Sequence, residues 1–191
     1  MDYLKLEKPF KPPVDWNQIK LVIFDCDGVL TDGRIVYGNY DTLCVADTKN
    51  FNAHDGMGFT LLHYAGITPA VITGRSSLAL SKRCKDLKIK HLYQGVQHKL
   101  EKANKLLAKL GLSWNQVAYM GDDWNDIPCM QAAAVSFCPV DACQEIRHLA
   151  DVVTTLQAGR GAVRECIDHI LYCQHRFEQA VRAYLSDISI V

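Results

Sequence analysis

Six short apolar runs alternate with helical patterns along most of this 191-residue chain, and that alternation constrains the fold more than any other feature. The runs are LVIF (21–24), the middle of GITPAVIT (66–73), HLYQG (91–95), VAYMG (117–121), AVSF (134–137) and DVVTT (151–155). Continuous apolar runs of this length suit strands covered on both faces. Between them lie GMGFTLLHYA (56–65), with Asp55 as its candidate N-cap, and SSLALSKRCKDL (76–87), which opens on two capping serines. KLEKANKLLAKL (99–110) puts Leu100, Ala103, Leu106, Leu107 and Leu110 on one face and meets Gly111 as its stop. NDIPCMQAAA (125–134), DACQEIRHLA (141–150) and one long helical stretch over 161–185 complete the series. Such alternation predicts an α/β fold, a Rossmann-like parallel sheet with helices on both faces.

One stretch breaks the pattern. RIVYGNYDTLCVADTKNFNAHDG (34–56) is too long for a tight βα loop. It reads as a β-hairpin insert over about 34–50, RIVY and LCVAD joined by a GNYD turn. Inserted after the first strand, it would project over the carboxyl end of the sheet, where open α/β sheets bind ligands. The length fits one domain. Residues 1–19 read as a lead-in, 20–185 as the domain and 186–191 as a tail.

Composition narrows the function classes. Twenty-one basic and 21 acidic residues give zero formal charge, which argues against a nucleic-acid binder, since that affinity rests on clustered positive charge. No apolar run approaches the roughly 18–20 residues needed to span a bilayer. The segment MDYLKLEKPFKPPVDW has no apolar core of the signal-peptide kind, so the expectation is a cytoplasmic protein without a membrane partner. None of the eight cysteines forms a CxxC pair; they read as reduced, buried apolar residues rather than zinc ligands. The histidines at 63, 91, 98, 148, 169 and 175 share no metal-ligand spacing and read as structural.

The chemistry-bearing residues sit where strands end. Asp25 and Asp27 follow LVIF, two carboxylates able to converge on a hard cation such as Mg²⁺, and Gly28 permits the turn after them. Thr73, Gly74 and Arg75 follow the second run, a hydroxyl and free amides at a helix start that suit an anion. Lys99 opens the helix after the third run, and GDDWND (121–126) supplies Asp122, Asp123 and Asp126 after the fourth. Singly, each reads equally well as a turn, a cap or a solvated lysine. Together, in this order and all at one end of the sheet, they are hard to obtain by chance.

That ordered set resembles the four motifs of the haloacid dehalogenase superfamily, over about residues 20–170. The resemblance implies a phosphatase in which Asp25 is the nucleophile and forms an aspartyl-phosphate. Asp27 would act as general acid and base, and Thr73 and Lys99 would bind the phosphoryl oxygens. Mg²⁺ would be held by Asp25, Asp122 and the backbone carbonyl of Asp27, with Asp123 and Asp126 supporting Lys99 or a metal-bound water. A hairpin is too small to be a cap domain, so the chain resembles a capless member.

The stretches DGVLTDGRIVYGN, FNAHDGMG, VITGRSSLALSKRCKDL, HLYQGVQHK, VAYMGDDWND and AGRGAVREC narrow the resemblance to phosphatases of 3-deoxy-D-manno-octulosonate 8-phosphate, an intermediate of lipopolysaccharide precursor synthesis. It implies a homotetramer whose hairpins form a central barrel, with active sites shared between subunits through the C-terminal tail. It also implies substrate contacts from Asp27, Asn52, Ala53, His54, Asp55, Gly56, Thr73, Gly74, Arg75, Arg83 and Lys99. The chain departs from that pattern at His54 and Thr60, where the family carries Arg, in a longer hairpin and in an apolar tail end, RAYLSDISIV. The alternatives are a nonulosonate 9-phosphate phosphatase, a non-catalytic assembly domain and a receiver-like phosphoacceptor. The last would lack the hairpin and GDDWND.

Overall fold

The computed structural model describes residues 8, 10–41 and 44–189. Six strands form one parallel sheet: β1 (Leu21–Phe24), β4 (Thr68–Ile72), β5 (His91–Tyr93), β6 (Val117–Met120), β7 (Val135–Cys138) and β8 (Val152–Val153). Their spatial order is β5-β4-β1-β6-β7-β8, so β1 lies centrally, with Leu21 opposite Thr68 on one side and Val117 on the other. All four residues of β1 are buried, as a strand covered on both faces requires. Val22 and Phe24 enter one core with Phe59, Val71, Leu80 and Ile167, while Leu21 and Ile23 enter the other with Ile72, Leu106, Tyr119 and Ile146. The period of two along the strand thus feeds both layers.

The first core is covered by α1 (Ala53–Tyr64), α2 (Leu78–Asp86), α6 (Ala162–Cys173) and α7 (Phe177–Ile188); α1 packs on α6 and α7. The second is covered by α3 (Lys99–Leu110), α4 (Ile127–Ala132) and α5 (Gln144–Leu149). Helix α3 ends where the sequence places its stop, with Gly111 in the left-handed region at φ 65°.

Two further strands, β2 (Val36–Asp41) and β3 (Cys44–Thr48), pair antiparallel, with Val36 opposite Thr48. The expected GNYD turn is corrected here: residues 38–41 lie inside β2, and a register shift between Asn39 and Asp41 absorbs the irregularity. The connection at 42–43 lies outside the described residues.

Three other expectations change. Asp55 is not the cap of α1; Asn52 is, its side chain accepting from the His54 amide at 2.8 Å. The single helix over 161–185 is two, because His175 adopts φ 56° between α6 and α7 and the chain turns there. Helix α7 continues to Ile188, past the start assigned to the tail, whose last two residues lie outside the described set.

The lead-in, of which residues 1–7 and 9 lie outside the described set, is fastened to the domain. Lys11 donates to Asp151 and to the Met130 carbonyl, both at 2.8 Å. Ile19 is buried, and the Gln174 amide donates to the carbonyls of Trp16 (2.7 Å) and Ile19 (3.0 Å). Among the described residues, no helix is long and apolar enough to cross a membrane.

Candidate active site

Asp25 leaves β1 with its amide still donating to the Met120 carbonyl at 3.0 Å, so its carboxylate is fixed beside the end of β6. Gly28 then turns the chain at φ 81°. A side chain there is excluded, because its Cβ would stand 1.9 Å from Asp122 Oδ2. Gly28 is what lets the Asp122 carboxylate approach Asp25. Gly121 plays the matching part for Asp126, whose Cβ would lie 2.4 Å from an added methyl.

Lys99, the first residue of α3, is buried and reaches both carboxylates. Its Nζ donates to Asp126 Oδ1 at 2.7 Å and lies 2.9 Å from Asp25 Oδ1. The second contact is an ion pair within hydrogen-bonding distance, so Lys99 bridges the two carboxylates. Burial works against the ammonium, but Asp126 and Asp25 outweigh it and hold Lys99 above the ordinary lysine range. Asp126 is fully buried and also accepts from Tyr119 Oη (2.6 Å) and the amides of Asp122 (3.2 Å) and Asp123 (3.5 Å). Its oxygens are therefore occupied in holding Lys99 and the loop.

Carboxylate oxygens of Asp25, Asp122 and Asp126 lie within 4.8 Å of one another. Without a cation, burial and then Asp126 push Asp25 up to about 7, and burial, Asp126 and Asp25 push Asp122 up to about 8. Asp122 Oδ1 is buried with no hydrogen-bond partner, and Asp25 Oδ1 has only its ion pair with Lys99. Three carboxylates against one lysine leave excess negative charge, and orphaned hard oxygens are the donors a divalent cation such as Mg²⁺ takes. The residues fit that ion, with Asp25 and Asp122 free to ligate and Asp126 committed elsewhere.

Above this floor, Asp27 is ion-paired on Oδ1 to Lys49, just after β3, and its Oδ2 lies 3.7 Å from Arg75 Nε. Arg75 in turn donates to Tyr37 Oη of β2 at 3.2 Å and sits over that ring. Thr73 is buried between β4 and β5, its amide donating to the Tyr93 carbonyl at 3.0 Å. Gly74 follows it, and an added Cβ there would meet the Val96 carbonyl oxygen at 3.8 Å, an ordinary contact.

The remaining residues gather at the start of α1. Asn52, Ala53 and His54 form its cap and first positions. Asp55 is buried and accepts the Arg164 amide of α6 at 2.9 Å. Burial first, partly offset by that amide, pushes it up to about 6. Gly56 admits Arg83, whose Nη2 would stand 2.8 Å from an added Cβ. Arg83 donates to the Asn52 carbonyl at 2.9 Å and lies 5.9 Å over Phe51, so its guanidinium anchors this cap. Thr60 bonds back to the Gly56 carbonyl within the helix.

Sequence reasoning missed two contributors. Tyr119 is an inward tyrosine in an apolar strand, and a buried hydroxyl needs a partner, which was the available signal. Lys49 carried no signal, since its distance from Asp27 is set by how β2 and β3 fold back.

Residues 90–167 match the model of haloacid dehalogenase-like hydrolases. A 3-deoxy-D-manno-octulosonate 8-phosphate phosphatase of Escherichia coli (strain K12) is 41% identical over 164 residues, 86% of this chain and 85% of that one. The crystal structure of the Yersinia pestis enzyme of that name matches with TM-score 0.81 at 42% identity, covering 85% of this chain and 86% of that one. A Moraxella catarrhalis enzyme of the same name, in complex with magnesium, phosphate and KDO, matches with TM-score 0.83 at 37% identity, covering 88% and 95%. A floor of Asp25, Lys99, Asp122 and Asp126 on a parallel sheet, shared sequence and shared fold agree: the chain belongs to the 3-deoxy-D-manno-octulosonate 8-phosphate phosphatase family of haloacid dehalogenase-like hydrolases.

Proposed function

We propose that this chain hydrolyses 3-deoxy-D-manno-octulosonate 8-phosphate to the free sugar acid and phosphate, in lipopolysaccharide precursor synthesis. The observation that carries the reading is the buried ion pair of Lys99 with Asp25 beside the unpartnered Oδ1 of Asp122. Asp25 attacks phosphorus and becomes an aspartyl-phosphate while the bond to the sugar oxygen breaks. Asp27 protonates that oxygen as it leaves and then takes a proton from the water that attacks the intermediate. Thr73 and Lys99 hold the phosphoryl oxygens, and Asp126 with Tyr119 holds Lys99. Asp25, Asp122 and the Asp27 carbonyl would hold Mg²⁺, which when bound would offset the charge between carboxylate and phosphate. Arg75, whose Nε lies 3.7 Å from Asp27 Oδ2, is a cation suited to a sugar-acid carboxylate.

The same reading takes residues 20–185 as one hydrolase domain working in the cytoplasm as a homotetramer, with neighbouring subunits completing each site. A mixed panel of octulosonate 8-phosphate and nonulosonate 9-phosphate tests the substrate by phosphate release. Faster turnover of the eight-carbon substrate is expected; equal or faster turnover of the nine-carbon one overturns the choice, and His54 and Thr60 are then the first residues to examine.

A further inference from the structure

Both oxygens of the Asp27 carboxylate face a cation. Arg75 Nε stands 3.7 Å from Oδ2, and Lys49 is ion-paired to Oδ1. The Lys49 side chain is only 4% exposed, far less than lysine tolerates without a partner. Asp27 itself is more open, at 19%, and sits in a loop just beyond β1. Lys49 follows β3 directly, and Arg75 is tied to Tyr37 of β2. The paired strands thus bring one cation to each edge of the carboxyl group.

We propose that Lys49 is a positioning residue for the reaction, fixing the orientation from which Asp27 delivers its proton. This rests on the reading of Asp27 as the acid. In that step an Asp25 oxygen forms its bond to phosphorus and the bond from phosphorus to the alkyl oxygen breaks. The electron pair goes to the alkyl oxygen, and the Asp27 proton follows it. Lys49 keeps its protons throughout and touches no reacting atom. A misplaced acid matters only when the leaving oxygen needs a proton, which separates this role from support of the fold.

The test compares kcat/KM, which reports the first bond-breaking step, for a sugar phosphate and for p-nitrophenyl phosphate, whose phenolate leaves without a proton. Lys49→Met is expected to lower the sugar phosphate value about 30-fold, within the range of a displaced general acid, and the p-nitrophenyl value by less than about threefold. Lys49→Gln is read the same way if the methionine variant melts early. Asp27→Asn is the control and is expected to show a larger version of the same split. An equal fall on both substrates, or no fall on either, overturns the role of Lys49 while Asp27→Asn still shows the split. If Asp27→Asn shows no split, the reading of Asp27 fails and the Lys49 role goes with it.

Discussion

Among the described residues, two buried carboxylate sites use burial in opposite ways. On the floor, Asp25 is 4% exposed and Asp126 is fully buried; at the α1–α6 contact, Asp55 is 3% exposed. Asp126 fills its oxygens with Lys99, Tyr119 and two amides, and so makes a rigid mount. Asp122 keeps a bare buried oxygen beside Asp25, whose Oδ1 meets only Lys99, and such a pair of carboxylates suits a cation. Asp55 also keeps one bare oxygen, but its other oxygen caps the start of α6 through the Arg164 amide. The floor gathers charges that repel one another. The helix contact spends one charge on a backbone donor. Unpaired burial therefore marks chemistry only where several such groups converge.

The largest effect that tests this contrast is expected at Asp25, the proposed nucleophile. Asp25→Asn is expected to reduce phosphate release on the order of 10⁴-fold or more, the scale seen when a covalent nucleophile is removed. The folded state is expected to survive, because the amide removes a charge that burial disfavours. Calorimetry and phosphate release on the same sample check both halves. Residual activity above about a tenth of wild type would take Asp25 out of the nucleophile role.

Magnesium gives the next largest effect. The folded values of about 7 for Asp25 and about 8 for Asp122 lie above the ordinary 3.8, so the metal-free fold holds protons that the unfolded chain releases. Stability from these two groups is therefore full below pH 4 and is lost as pH rises through 7 to 8. A cation binds only the ionised pair and reverses that loss. At a hundredfold excess over Kd it adds about 2.7 kcal/mol. The expected outcome is a rise in melting temperature on adding Mg²⁺ that is larger at pH 8.5 than at pH 6. An increment independent of pH would mean that the ion binds elsewhere.

Much of this is legible in the amino-acid sequence. The apolar run LVIF is β1 to the residue, and KLEKANKLLAKL is α3 to the residue, because continuous burial and a strong helical stripe leave little choice. The motif residues Asp25, Thr73, Lys99 and Asp122 all come to one end of the sheet because each follows a parallel strand or opens the helix after one. What escaped depends on distant parts of the chain. Asp55 looks like a cap from its neighbours, yet its partner is Arg164, 109 residues away. The turn at His175 has no glycine to announce it; α7 folds back on α1, and that packing decides. The turn assigned to GNYD failed because strand pairing, set by the register of β2 with β3, overrode local turn chemistry.

The smallest expected effect comes from Asp55. Its folded value of about 6 also lies above 3.8, so its contribution to stability is full below pH 4 and lost as pH rises through 6. Asp55→Asn keeps an oxygen for the Arg164 amide and removes the charge. The variant should therefore melt a few degrees higher than wild type at pH 8, with the advantage shrinking toward pH 4. Turnover should stay within about threefold of wild type, because the Asp55 carboxylate is engaged with α6 rather than with the floor. Melting curves across pH 4–8, run beside kcat/KM, separate the two sites: a stability gain with activity kept assigns Asp55 to the helix contact. A loss of activity with a rise in KM would instead make it a substrate ligand, and would join to the floor a site that the geometry keeps apart from it.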